Sequence, residues 1–172
     1  MIDSLSNSEL LAHDSCALLA NLLLKKNWFL ATAESCTGGL IAAECTHLAG
    51  SSAWFERGFV SYANAAKTEL LGVNAALIAQ HGAVSEPVVR AMVAGALAHS
   101  HAHVALAVTG VAGPGGGSVD KPVGTVWFGW AWGKQLVAEV MHFEGDRSAV
   151  RLATVEHALK RLGNLLINEV TA

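Results

Sequence analysis

The heptapeptide Ala33-Glu34-Ser35-Cys36-Thr37-Gly38-Gly39 restricts the fold more than any other stretch of the chain. A short apolar run, Trp28-Phe29-Leu30-Ala31, precedes it, and an alanine-rich amphipathic segment, Leu40-Ile41-Ala42-Ala43-Glu44, follows it. The pattern predicts a strand, a tight turn, and a helix that continues to about His47. A serine at such a turn is lifted out of the sheet and faces the first unpaired N–H groups of the helix. Those groups, with the positive end of the helix dipole, favour an oxyanion or a phosphate. The plain alternative is that Ser35 or Thr37 only caps the helix, the commonest use of such hydroxyls.

A chain of 172 residues is about the size of one domain with one substantial core. With 52% hydrophobic and 15% charged residues it is not a disordered or tail-like sequence. The net charge is -3 and the 11 Lys and Arg are scattered, so no basic face for nucleic acid is expected. No run reaches the roughly 18 apolar residues of a membrane span. The first residues, with Asp3, Glu9, His13 and Asp14, lack the pattern of a secretory signal. Three cysteines without a CxxC spacing predict free thiols, and hence a cytoplasmic protein.

Leu11, Leu18, Leu19, Leu22 and Leu23 recur near helical spacing within residues 4 to 26, and Lys25, Lys26 and Asn27 suit the end of that helix. Residues 48 to 52 read as a loop, and Arg57 to Tyr62 alternate like a strand. Asn64 is the expected cap of a helix closed by Gly72; a second short helix spans about 74 to 80. Ser85-Glu86-Pro87 opens a longer helix, with Pro87 in the first turn where its missing N–H costs little. His103 to Val108 reads as a buried strand, and 123 to 132 and 135 to 143 as a hairpin around Gly133-Lys134. Asp146 is the expected cap of a final helix carrying Val155, Leu159, Leu162 and Leu166. The order is α, β, α, β, α, α, α, β, β, β, α. It predicts a single layered α/β domain over residues 1–172, a mixed sheet flanked by helices with antiparallel strands late in the chain. Trp127, Trp130 and Trp132, an exposed surface candidate alongside the first helix, cannot all face one side without a bulge.

Three further clusters bear on chemistry. Tyr62 ends a strand and Lys67 lies in the first turn of the next helix, where the dipole should lower the lysine pKa. Such a lysine can take a proton from a serine; a solvated surface lysine is the competing reading. Thr109 to Ser118 holds five glycines after a buried strand, which allows close backbone approach and N–H groups aimed at an anion. That loop is neither a Walker A motif nor a dinucleotide fingerprint. Arg147 and Arg151, one turn apart at a helix start, suit a phosphate or are ordinary surface charges. His99, His101 and His103 lack zinc-like companions, so no metal is expected. Cys36, beside Ser35, is a second nucleophile candidate by position.

Together these motifs resemble one family. Residues 33–39, 50–58 (Gly-Ser-Ser-Ala-Trp-Phe-Glu-Arg-Gly), 61–67 (Ser-Tyr-Ala-Asn-Ala-Ala-Lys), 70–73, 81–85, 109–118 and 121–126 are similar in order and spacing to the C-terminal domain of CinA. The resemblance covers roughly residues 10 to 168. It implies an amidohydrolase that converts nicotinamide mononucleotide and water to nicotinate mononucleotide and ammonia, in pyridine-nucleotide salvage. It also implies a layered α/β fold, no cofactor or metal, and a homodimer or higher homo-oligomer. Carried over by position, Ser35 is the nucleophile, Lys67 its base, and Tyr62 orients the lysine or relays the proton. Thr37 with the backbone of Cys36, Gly38 and Gly39, and Thr109 with Gly110, would hold the oxyanion and substrate. Gly113, Gly115, Gly116 and Arg147 would contact the phosphate or ribose.

The sequence departs from the family pattern at Ala63, where serine is more usual, at His103, where aspartate often precedes the strand, and at Val111 in place of isoleucine. None of these removes a proposed catalytic group. The larger N-terminal domain of some relatives is not among these residues, and its pyrophosphatase activity is not carried over. Two other readings compete: a catalytically silent nucleotide-binding module, and a serine amidase for a different amide. The complete Ser35, Tyr62 and Lys67 set favours catalysis, because binding alone would not require it.

Overall fold

The computed structural model describes residues 7–170. Its elements are α1 (Asn7–Lys26), β1 (Leu30–Glu34), α2 (Leu40–His47), β2 (Phe55–Val60), α3 (Asn64–Leu71), α4 (Ala75–His81), α5 (Glu86–Ala98), β3 (Val104–Gly110), β4 (Thr125–Trp132), β5 (Gln135–His142) and α6 (Arg147–Val170). The predicted order of elements holds throughout. The first predicted residues of the opening helix, 4 to 6, lie outside the described residues.

The five strands form one mixed sheet in the order β2-β1-β3-β4-β5. β1 pairs parallel with β2 and β3, while β3–β4 and β4–β5 are antiparallel. From β1 the chain crosses through α2 to one neighbour, β2, then returns through α3, α4 and α5 to the other, β3. The direction of winding therefore reverses at β1, and the crevice at the carboxyl ends of β1 and β3 is where an open α/β sheet offers a ligand site.

Helices cover both faces. One face packs Leu30, Leu106, Val108, Phe128 and Trp130 against Leu19 and Leu23 of α1 and Leu159, Leu162 and Leu166 of α6. The other sets small residues, Ala33, Ala105, Ala107 and Ala131, against Val88, Val89, Met92 and Val93 of α5. Small side chains on that face let α5 lie close to the sheet, and close packing fixes where α3, docked on α5, can sit. Among the described residues, no helix is long and apolar enough to cross a membrane.

Several local expectations are corrected. β1 runs from Leu30 to Glu34 instead of Trp28 to Ala31, because Thr32 and Glu34 are buried with partners of their own and continue the strand. Ala63, not Asn64, occupies the cap position of α3. Asn74 is the residue that caps α4, accepting from the N–H of Ala76 at 2.8 Å. The Ser85 hydroxyl donates to the Gly82 carbonyl instead of capping α5. The tryptophan strand is not a free surface: β4 lies inside the sheet, and Trp130 and Trp132 are buried. Its pairing with β3 runs without a bulge, so Trp127 faces α5 while Trp130 and Trp132 face α1 and α6, as parity requires. The Asp146 cap is present, accepting from the N–H of Ala149 at 2.9 Å.

Candidate active site

Successive residues of a strand point to opposite faces of its sheet. At the carboxyl end of β1 that alternation sends Glu34 toward α2 and Ser35 toward α3. The turn then winds through Gly38 and Gly39, both with positive φ (61° and 101°), before α2 begins. Left-handed backbone at two successive positions is unstrained for glycine alone, which accounts for the pair.

Ser35 meets Lys67. The lysine side chain is buried, and its Nζ donates to Ser35 Oγ at 3.0 Å, to the Ser61 carbonyl at 2.8 Å and to the Tyr62 carbonyl at 3.2 Å. An ammonium has three donors, and all three have acceptors here. Carbonyl oxygens only accept, so a neutral amine would keep its two N–H groups on Ser61 and Tyr62. Its lone pair would then face the Ser35 hydroxyl. Burial holds the Lys67 pKa below the ordinary lysine value, the direction expected from sequence, with desolvation as the main cause.

Cys36 is buried beside Ser35, and burial pushes its thiol up to about 11, against the pull of the backbone N–H groups of Cys36 and Thr37. A thiol that stays protonated at neutral pH is a poor nucleophile. Position alone made Ser35 and Cys36 equivalent; the lysine contact and the raised thiol separate them.

The helix terminus is occupied. The Glu34 carboxylate accepts the N–H groups of Gly39, Ile41 and Ala42 and the hydroxyl of Thr37. The Thr37 hydroxyl and the Gly39 amide are thus committed elsewhere and do not face the pocket, which corrects their expected role as oxyanion donors. The Gly38 amide is committed to Ser35 O at 3.1 Å. Among the described residues, the amides of Cys36 and Thr37 are left as the donors of this turn without a backbone oxygen partner.

A pocket of about 190 Å³ opens over Ser35, lined by Cys36, Tyr62, Asn64, Lys67, Val84, Thr109, Gly110 and Arg147 among others. The Thr109 hydroxyl donates to the Ala83 carbonyl at 2.9 Å, tying the 81–85 segment to the wall. Gly110 lies so close to β4 that a Cβ there would fall 2.8 Å from the Thr125 carbonyl oxygen. At the mouth, Arg147 donates to the Gly113 carbonyl at 2.9 Å and to the Tyr62 hydroxyl at 3.1 Å. Tyr62 reaches Lys67 through its main-chain carbonyl; the residue is 58% exposed and its hydroxyl bonds to Arg147. A phenolic proton relay to Lys67 is therefore replaced by a place on the rim. Gly115 and Gly116 are exposed and lie outside the lining, and Arg151 turns inward to donate to the Thr37 carbonyl at 2.8 Å. Asn64 and Val84 escaped the sequence reading as lining residues, as did Glu34 as the turn's anchor; for Asn64 and Val84 the adjoining motifs 61–67 and 81–85 were the available signal.

Residues 13–166 match the CinA C-terminal domain family. The chain is 53% identical over 155 residues to the nicotinamide-nucleotide amidohydrolase PncC of Enterobacter agglomerans, covering 89% of this chain and 94% of that protein. It is 56% identical over 144 residues to the PncC of Pseudomonas putida, covering 84% and 90%. Among solved structures, a CinA superfamily protein from Klebsiella pneumoniae superposes with a TM-score of 0.88 at 39% identity, over 91% of this chain and 98% of that one. The competence/damage inducible protein CihA of Agrobacterium tumefaciens gives 0.86 at 41% identity, over 97% and 99%.

Proposed function

The chain belongs to the CinA C-terminal domain family, and from that premise we propose that it hydrolyses the carboxamide of nicotinamide mononucleotide to nicotinate mononucleotide and ammonia, a step of pyridine-nucleotide salvage. The observation that carries the mechanism is the Lys67 Nζ, 3.0 Å from Ser35 Oγ with its other two hydrogen bonds fixed on main-chain carbonyls.

In this mechanism the neutral amine of Lys67 accepts the Ser35 proton as Oγ bonds to the carboxamide carbon. The carbonyl oxygen becomes an oxyanion, and it takes as donors the amides of Cys36 and Thr37, which have no backbone oxygen partner among the described residues. Lys67 passes its proton to the departing nitrogen, the C–N bond breaks, and ammonia leaves an ester on Ser35. Water, deprotonated by Lys67, then attacks the ester; the proton returns to Ser35 Oγ as the acid is released. Arg147 at the rim carries a guanidinium with N–H groups to spare for the substrate phosphate. Burial lowers the Lys67 pKa, which favours the neutral amine that the first step needs.

The test is ammonia release from nicotinamide mononucleotide by the purified protein, with Ser35→Ala alongside. Release by the wild type, with binding retained but hydrolysis lost in the variant, supports both substrate and nucleophile. Binding without release by the wild type would favour a silent nucleotide-binding module. Full turnover by Ser35→Ala would overturn the nucleophile assignment.

A further inference from the structure

Glu34 has no step in that mechanism, yet its buried carboxylate makes five hydrogen bonds. Oε2 accepts from the Thr37 hydroxyl at 2.7 Å and from the N–H groups of Gly39 and Ile41 at 3.0 Å each. Oε1 accepts from the N–H of Ala42 at 2.8 Å and the Thr32 hydroxyl at 3.3 Å. Three of these donors are the otherwise orphaned amides at the start of α2, so the carboxylate fills the terminus that would otherwise attract a ligand anion. Two of the five, on Thr37 and Gly39, belong to the turn that carries the amides of Cys36 and Thr37. On the far side, Arg151 holds the Thr37 carbonyl.

We propose that Glu34 is a positioning residue for the reaction: by fixing Thr37 and Gly39 to the start of α2, it aims the amides of Cys36 and Thr37 at the oxyanion formed on Ser35 attack. The amidase reading enters only in naming the reaction. The sign of the electrostatic effect separates orientation from charge. A carboxylate near a developing oxyanion raises its energy, just as Glu34 contributes to raising the Cys36 thiol. Acting through its charge, Glu34 would slow the reaction and its neutralisation would speed it. Acting through orientation, its neutralisation slows it.

Glu34→Gln keeps the shape, removes the charge, and turns an amide NH2 toward a donor that Glu34 now satisfies. The expected result is a fall in kcat of about tenfold to a hundredfold with KM within about threefold, the split of an interaction made in the transition state. Thr37→Val, which deletes one bond to Glu34, should lose about tenfold in kcat, and Thr37→Ser, which keeps the hydroxyl, should recover most of it. The rate of Ser35 labelling by a serine-directed fluorophosphonate reads the same geometry without the natural substrate. Labelling should slow in Glu34→Gln and Thr37→Val and recover in Thr37→Ser. If the wild type labels and the variants follow this order while no ammonia is released, the substrate reading fails and the positioning role stands. An unchanged or raised kcat and labelling rate in Glu34→Gln, or equal losses in Thr37→Val and Thr37→Ser, would overturn it, even with a lowered melting temperature.

Discussion

Glu34 and Ser35 are neighbours on one strand, and each leads into a different region. On the α2 side, a buried carboxylate is met by five donors, every one a main-chain amide or a threonine hydroxyl bound in place. On the α3 side, a buried lysine is met by three acceptors, of which two are inert carbonyls and the third is the Ser35 hydroxyl. Both regions cost desolvation, and both answer it with hydrogen bonds. The difference is that the first region ends in groups that cannot react, and the second ends in one that can. Saturation by inert partners makes an anchor; one exchangeable partner makes a site for proton transfer.

The largest expected effect comes from breaking the reactive side. Lys67→Met keeps the length of the side chain without its base, and turnover should fall by about a thousandfold or more. The wild-type pH profile supplies a second check. Only the neutral amine accepts the Ser35 proton, and its pKa lies below 10.5, so kcat/KM should rise with pH through that lowered pKa and level off above it. Stability follows the same sign. Between the lowered folded pKa and 10.5 the unfolded chain binds more protons at this site than the folded one, so folding gains with rising pH. The stability of the wild type relative to Lys67→Met should therefore improve as pH climbs through that window and be lost again as it falls. A pH-independent difference in denaturant midpoints would mean that Lys67 is not desolvated in solution.

The two regions differed in how much of them the sequence revealed. The order of all eleven helices and strands was legible among the described residues, because helical and alternating periods are carried by side chains. The pairing of Ser35 with Lys67 came through the family resemblance; the two strand-to-helix junctions alone left a capping serine and a solvated lysine as competing readings. What escaped reading is what depends on the main chain. Lys67 is held by carbonyls of Ser61 and Tyr62, and Glu34 is held largely by amides of α2; neither set of partners has a residue-type signature. A glutamate is ordinarily a surface residue, so Glu34 looked like the end of a strand, and its five partners became visible only in three dimensions. Tyr62 entered the catalytic set through the family resemblance, although any residue there would offer the same carbonyl to Lys67.

That last point gives a smaller, sharper test of the reactive side. Tyr62→Phe removes the hydroxyl that receives Arg147 and leaves the carbonyl that receives Lys67. KM for nicotinamide mononucleotide should rise by about threefold to tenfold, the range of one exposed hydrogen bond, while kcat stays within about twofold. A loss confined to kcat would return the phenol to the chemistry.

The smallest effect is expected on the saturated side, at its weakest link. The Thr32 hydroxyl donates to Glu34 Oε1 at 3.3 Å, the longest of the five bonds, from a position on the strand and not on the turn. Thr32→Val preserves the branched shape that suits β1 and removes only that donor. Ala42 still donates to the same oxygen at 2.8 Å, so no buried charge is left without a partner there. The cost should be about 1 kcal/mol in unfolding free energy, read from the denaturant midpoint, and turnover should change by less than about twofold. The contrast with Glu34→Gln is the point of the experiment. Both substitutions weaken the same carboxylate cluster, but Thr32 does not touch the turn that carries the Cys36 and Thr37 amides. A loss of turnover in Thr32→Val as large as that in Glu34→Gln would mean that activity tracks the stability of the cluster, and the separation between anchor and reactive site would fail.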